Sequence, residues 1–239
     1  MKQLFYILFI CTLGCNKTTT REDLNKSIQK PIVSKNSESD SIINPVFKYE
    51  DNGNIIKADT FKLKNSYTLI IYPTKDSVEK CGVINYRIIS KKIDKSFLLS
   101  DNLKENYIPY FRNIDFQNYF ALHSNGGGTS NLYFWLYDKQ TGLEVLTDSN
   151  FKIQLDFDLK NELILYTDED NEYKKFIYDI KTKVKTFVDI PQSFTDKQEC
   201  TRNNYFEKTS YIKRVTDKYY FIAFRDCPSK IEFRVKRAK

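Results

Sequence analysis

Residues 131–146 read NLYFWLYDKQTGLEVL. The run LYFWLY, residues 132–137, is apolar at every position, and a strand without alternation is one covered on both faces. Asp138–Gly142 then forms a polar turn, and Leu143–Leu146 reads as a returning strand. The same hairpin recurs as FIYDIKTKVKTFV at 176–188 and FIAFRDCPSKIEFRV at 221–235, which aligns Asp138 with Asp179 and Asp226. VINYRIISKKIDKSFLL at 83–99 matches with Ser90 in the place of the aspartate. Each hairpin follows another strand-like run: YTLIIY at 67–72, NYFALH at 118–123, ELILYT at 162–167 and SYIKRV at 210–215. The chain therefore reads as all-β, built of about four repeated antiparallel meander units of at least three strands, A, B and C, that recur roughly every 40–50 residues.

The pattern Tyr137-Asp138-x-x-Thr141-Gly142 followed by Leu143 and Val145, and Tyr178-Asp179-x-x-Thr182 followed by Val184, resembles the repeats of WD-type and TolB-like β-propellers. That resemblance implies β-propeller-like blades serving as an interaction platform. An open or closed antiparallel meander or barrel is the structural alternative. Local details fit strands: FKIQLDFDL at 151–159 alternates throughout, Asp51-Asn52-Gly53-Asn54 marks a hairpin turn, and Pro73 is expected to stop the strand that begins at Tyr67. YYFIAF at 219–224 is again apolar throughout and predicts burial on both faces. Ser100–Tyr107 reads as one short helical turn.

A chain of 239 residues suits one sizeable domain, and 41% hydrophobic residues exclude global disorder. The net charge is +7, but the basic residues are mostly Lys interleaved with Asp and Glu, so no nucleic-acid partner is expected. The densest basic cluster is the C-terminal KIEFRVKRAK. There Lys230, Glu232, Arg234 and Lys236 share one strand face and Ile231, Phe233 and Val235 the other, a solvated face over a buried one.

Met1–Cys15 has a basic Lys2, the apolar run LFYILFI, and a Leu13-Gly14-Cys15 ending. The run is too short to span a bilayer. Its ending resembles the lipobox of bacterial lipoproteins, with Thr12 departing from the usual Leu. The resemblance implies that 1–14 is a lipoprotein signal peptide, that Cys15 carries the lipid, palmitate included, and that the protein is held in the cell envelope, at the outer membrane facing the periplasm or the cell surface. Residues 15–45 are polar and read as a flexible tether, and 46–239 as the all-β repeat domain.

Turns in an up-and-down meander alternate between the two ends of a sheet, so all A-to-B loops are expected on one side. These are Pro73–Gly82 with Lys75, Asp76 and Cys81; His123–Asn131 with Gly126, Gly127 and Gly128; Asp168–Tyr173 with Asp168, Asp170 and Glu172; and Thr216–Lys218. His123 is the only histidine and lies beside glycines and serines, a setting for a general base, yet nothing supplies partners at a recognisable spacing. The glycines match neither a phosphate loop nor a dinucleotide fingerprint. Asp168, Asp170 and Glu172 alternate as oxygen ligands do, but Tyr173 stands where a calcium loop needs glycine. No metal and no cofactor is expected. Meander connectivity selects a Cys200–Cys227 disulfide, with Cys81 unpaired at the other end, the alternative being that all three thiols stay reduced.

No constellation specifies a reaction. The expected function is a membrane-anchored, non-enzymatic module that binds a protein or glycan partner through its A-to-B face. The alternatives are a small hydrolase centred on His123 and an inhibitor or immunity lipoprotein.

Overall fold

The computed structural model describes residues 47–48, 55–75, 82–100, 109–125, 131–148, 151–191, 210–225 and 232–238. They are all-β, in antiparallel sheets. β1 (Phe47–Lys48) and β2 (Ile55–Ile56) pair as the Asp-Asn-Gly-Asn turn predicts. β3 (Asp59–Leu63), β4 (Tyr67–Lys75), β5 (Gly82–Ile89) and β6 (Asp94–Ser100) form a four-stranded meander. β7 (Tyr110–Asp115), β8 (Tyr119–Asn125), β9 (Leu132–Asp138), β10 (Lys152–Asp158), β11 (Leu163–Asp168), β12 (Lys174–Asp179) and β13 (Val184–Phe187) form a seven-stranded one. β14 (Ser210–Val215), β15 (Tyr219–Phe224) and β16 (Glu232–Lys236) close the chain. Strand order follows chain order, and no sheet closes on itself among the described residues.

The seven-stranded sheet is two meanders joined by a single residue pair, Tyr133 with Ile153. On one side its buried cluster, including Phe134, Leu136, Ile164, Tyr166 and Phe176, comes wholly from this sheet. The sheet must therefore curl until its halves cover each other. On the opposite side, Phe120, Leu122 and Tyr137 pack with Leu69, Tyr86, Ile88 and Phe97 of the first sheet. Leu163, Leu165 and Ile177 pack with Tyr220, Ile222 and Phe233 of the last. LYFWLY and the β11 and β12 runs are thus covered on both faces, which is why they lack alternation.

The repeated aspartate has a local cause. Asp138 Oδ1 accepts from the amides of Gln140 and Thr141, and Asp179 Oδ1 from those of Lys181 and Thr182. Ser90 Oγ serves the amides of Lys92 and Ile93 in the same way. A further copy stands at Asp158, which accepts from Lys160 and Asn161. Short polar side chains close such turns because they mimic a backbone acceptor.

Several expectations are corrected. The first strands β7, β10 and β14 each carry a bulge, and the turns after β7 and β14 share one bond pattern, Phe116 to Tyr119 and Thr216 to Tyr219. After the third strand, the amides of Lys139, Ile180 and Arg237 bond the carbonyls of Asn118, Glu162 and Lys218. β16 is therefore the counterpart of β9 and β12, and β15 that of β8 and β11. The alignment of 221–235 on the central hairpin is one strand out of register. Thr216–Lys218 consequently lies at the end of the stack that holds the β10–β11 turn, not with the A-to-B loops; one cleft is lined by both Asp158–Asn161 and Ile212–Val215.

Pro73 does not stop β4. It pairs with Ile84 on one side only, because β3 begins at Asp59, opposite Ile71, and reaches no further along β4, so the missing amide hydrogen faces an edge that β3 leaves unpaired. Leu143–Leu146 makes a single bridge, Tyr137 with Glu144, rather than a strand. β10 alternates only until its bulge between Gln154 and Asp156, and Lys152 on its polar face is wholly buried. Ser100–Tyr107 is described only at Ser100, the last residue of β6.

Candidate functional site: charged groups sealed between sheets

The loops expected to bind fall mostly outside the described residues: Asp76, Gly126, Gly127 and Gly128 among them, as do Cys15, Cys81, Cys200 and Cys227. Lys75 ends β4, opposite Gly82.

His123 is a strand residue and not a loop residue. It lies in β8, opposite Tyr110 and Phe134, and is wholly buried. Phe157 meets its ring edge-on at 5.7 Å, and neither ring nitrogen makes a hydrogen bond. Burial, reinforced by the charge of Arg112 and only partly opposed by Gln154, pushes its pKa down to about 4. The ring is neutral at pH 7.

Asp168 is brought into a charged cluster at the rim between the two halves of the large sheet. It ends β11 opposite Lys152, the first residue of β10, and both are buried. Lys152 Nζ lies 3.8 Å from Glu144, and Lys185 reaches Asp148 at 2.7 Å and Asp168 at 3.6 Å. Lys185 also lies 4.0 Å above the Phe176 ring. Burial lowers the pKa of Lys152 and pushes that of Glu144 up to about 7, with Lys152 opposing the rise. At neutral pH this pair shares charge incompletely, as two groups removed from water do. Tyr166 OH, Thr167 Oγ1 and Asp168 Oδ1 are buried beside it without hydrogen bonds. Asp170 and Glu172 stand apart, exposed in the following turn, where Glu172 pairs with Lys174 at 3.3 Å.

A second buried cation, Lys139, pins the first sheet to the large one. Its Nζ donates to the carbonyls of Phe116 at 2.7 Å, Gln117 at 3.2 Å and Lys64 at 3.4 Å. Asp115 Oδ1 lies 2.6 Å away as an ion pair, off the hydrogen-bond direction. Arg237 occupies the same place in the last meander, donating to the Thr216 carbonyl and to Asp179 Oδ2. Sequence reading missed Lys139, Lys152 and Lys185. Only the correct register of the last meander, which aligns Lys139 with Arg237, carries a signal for any of them.

A shallow cleft of about 710 Å³ lies between the β10–β11 turn and β14. Its carboxylates are committed: Asp156 accepts from the Ile212 amide and from Arg225, and Asp158 closes its own turn. Among the described residues no three His, Cys, Asp or Glu side chains gather as a metal site requires. Compared with known proteins, the chain matches no family model, no curated protein and no solved structure.

Proposed function

We propose that the chain is an envelope lipoprotein, lipid-anchored at Cys15, whose folded part is a β-propeller-like scaffold of four blade-like meanders that binds a protein or glycan partner without catalysing a reaction. The observation that carries this reading is the setting of His123, the residue that the sequence offers as a general base. It is enclosed by Tyr110, Phe134 and Phe157, neither ring nitrogen makes a hydrogen bond of good geometry, and the hydrogen-bonding group that acts on the ring is the neutral Gln154, with no carboxylate among the described residues behind it to orient the imidazole. A base must reach the proton it removes. The other buried ionisable groups hold sheets together, which is the work of a scaffold. Binding then falls to the loops after the second strand of each meander: 76–81, 126–131, 169–173 and, by the corrected register, 225–231.

Two measurements test this. Mass spectrometry of the mature N-terminus is expected to find acylated Cys15, and a chain still beginning at Met1 overturns the address. Crosslinking in intact cells is expected to capture a partner, with capture lost when Gly126–Gly128 are replaced by bulkier residues and retained in His123→Phe. The opposite pattern favours the hydrolase.

A further inference from the structure

The sequence predicts that YYFIAF is covered on both sides, and only one side is. Tyr220, Ile222 and Phe224 face the core with Phe233 and Val235, while Tyr219 and Phe221 face outward, half-buried. What covers them is arginine. The Arg214 guanidinium lies 3.2 Å from the Phe221 ring centre, and that of Arg234 5.1 Å from Tyr219. Strand register puts Arg214, Phe221 and Arg234 in one row across the sheet, with Tyr219 and Lys236 opposite each other nearby. Lys213 and Arg214 share Glu232, at 2.6 and 3.1 Å. Arg234 and Lys236 make no ion pair with any described residue.

We propose that this outer face of β14–β16 is a docking surface for the anionic headgroups of a phospholipid bilayer. Charge complementarity is the first ground: the face carries Lys213, Arg214, Arg234 and Lys236 against Glu232 alone. The second is how its rings are used. A single-stranded nucleic acid needs open aromatic faces for its bases, and here guanidinium groups occupy them. The third is composition: aromatic rings with arginine and lysine on a sheet surface suit the headgroup layer, where amphipathic side chains and anionic lipids meet. The cations are worth about fivefold in affinity each at low salt. The inference rests on the anchored reading only insofar as an anchor would hold this face near a leaflet.

The full chain is mixed with vesicles of phosphatidylcholine alone or of phosphatidylcholine with phosphatidylglycerol, and arginines are labelled with phenylglyoxal and mapped by mass spectrometry. Arg214 and Arg234 are expected to react several-fold more slowly on the anionic vesicles. Arg112, exposed on β7, is expected to react equally on both. The double variant R234Q/K236Q, which removes no ion pair, is expected to float with anionic vesicles about twenty-five-fold less tightly. Equal labelling of Arg214 and Arg234 on the two vesicles overturns the proposal. So does protection by an oligothymidylate with none by anionic vesicles. An unmodified Cys15 refutes the anchor but leaves the difference between the vesicles interpretable, because any anchor or leader is common to both.

Discussion

Two interfaces of the stack bury lysines, and they solve the problem in opposite ways. Between the first sheet and the large one, Lys139 is met by three carbonyls and Asp115. Between the halves of the large sheet, Lys152 faces a carboxyl that is itself drawn toward neutrality. The first arrangement holds a charge against a burial that lowers the Lys139 pKa, with Asp115 opposing the fall. The second holds a proton loosely and makes that interface the one that senses pH.

Lys139→Met breaks the first arrangement and is expected to cost about 3 kcal/mol, since it leaves the buried Phe116 carbonyl and the largely buried Asp115 without their cation. Urea denaturation measures it, and a cost below about 1 kcal/mol shows that water replaces the cation.

The second arrangement is sharpened by pH. Glu144 has a folded pKa of about 7 against an ordinary 4.5, so its contribution is present below 4.5 and lost as pH rises to 7. His123 runs the other way: with a folded pKa of about 4 against 6.5, its contribution is present above 6.5 and lost as pH falls to 4. Between these limits the two slopes oppose each other in the native protein. Glu144→Gln is expected to leave a stability that rises with pH across the window, and His123→Phe one that falls, each by on the order of 2 kcal/mol. Thermal melts at several pH values read the slopes, and parallel curves for the two variants contradict the assignment.

Lys152→Met is expected to cost about 1–2 kcal/mol at pH 7 and less at pH 5, where Glu144 is protonated and no longer calls for a cation. A cost as large as that of Lys139→Met removes the contrast between the interfaces. Lys185→Gln is the smallest change, about 1 kcal/mol, because its nearer partner Asp148 is half-exposed and screened while the buried Asp168, at 3.6 Å, keeps the charge of Lys152 beside it.

The strands and the turn residues were legible in the sequence because their causes are local. Asp138 and Asp179 close turns within three residues of themselves, and LYFWLY declares its double coverage by lacking alternation. The register of the last meander was not legible, since YYFIAF has the composition of a third strand while its turn bonds make it a second. Lysines inside interfaces were illegible for another reason. Lys139 is satisfied by carbonyls at Lys64 and Phe116, and backbone oxygens leave no mark on a sequence. His123 misled because it precedes a glycine run, yet its surroundings are set by Tyr110, Phe134 and Phe157, brought in by pairing and curling.

The stacking of sheets in chain order bears on how the polypeptide folds when it is delivered from its N-terminus onward. Leu69, Tyr86 and Ile88 of the first sheet have no lid until Phe120, Leu122 and Tyr137 have been made. The half-sheet bearing those residues in turn waits for Ile164 and Phe176. Every partial product therefore ends in a bare greasy side, and only the last sheet, whose free face is charged, can end the series without exposing one. A chain held between meanders is expected to be the species that a holding chaperone recognises, and the wait at each step is set by delivery of the next meander rather than by folding of the last.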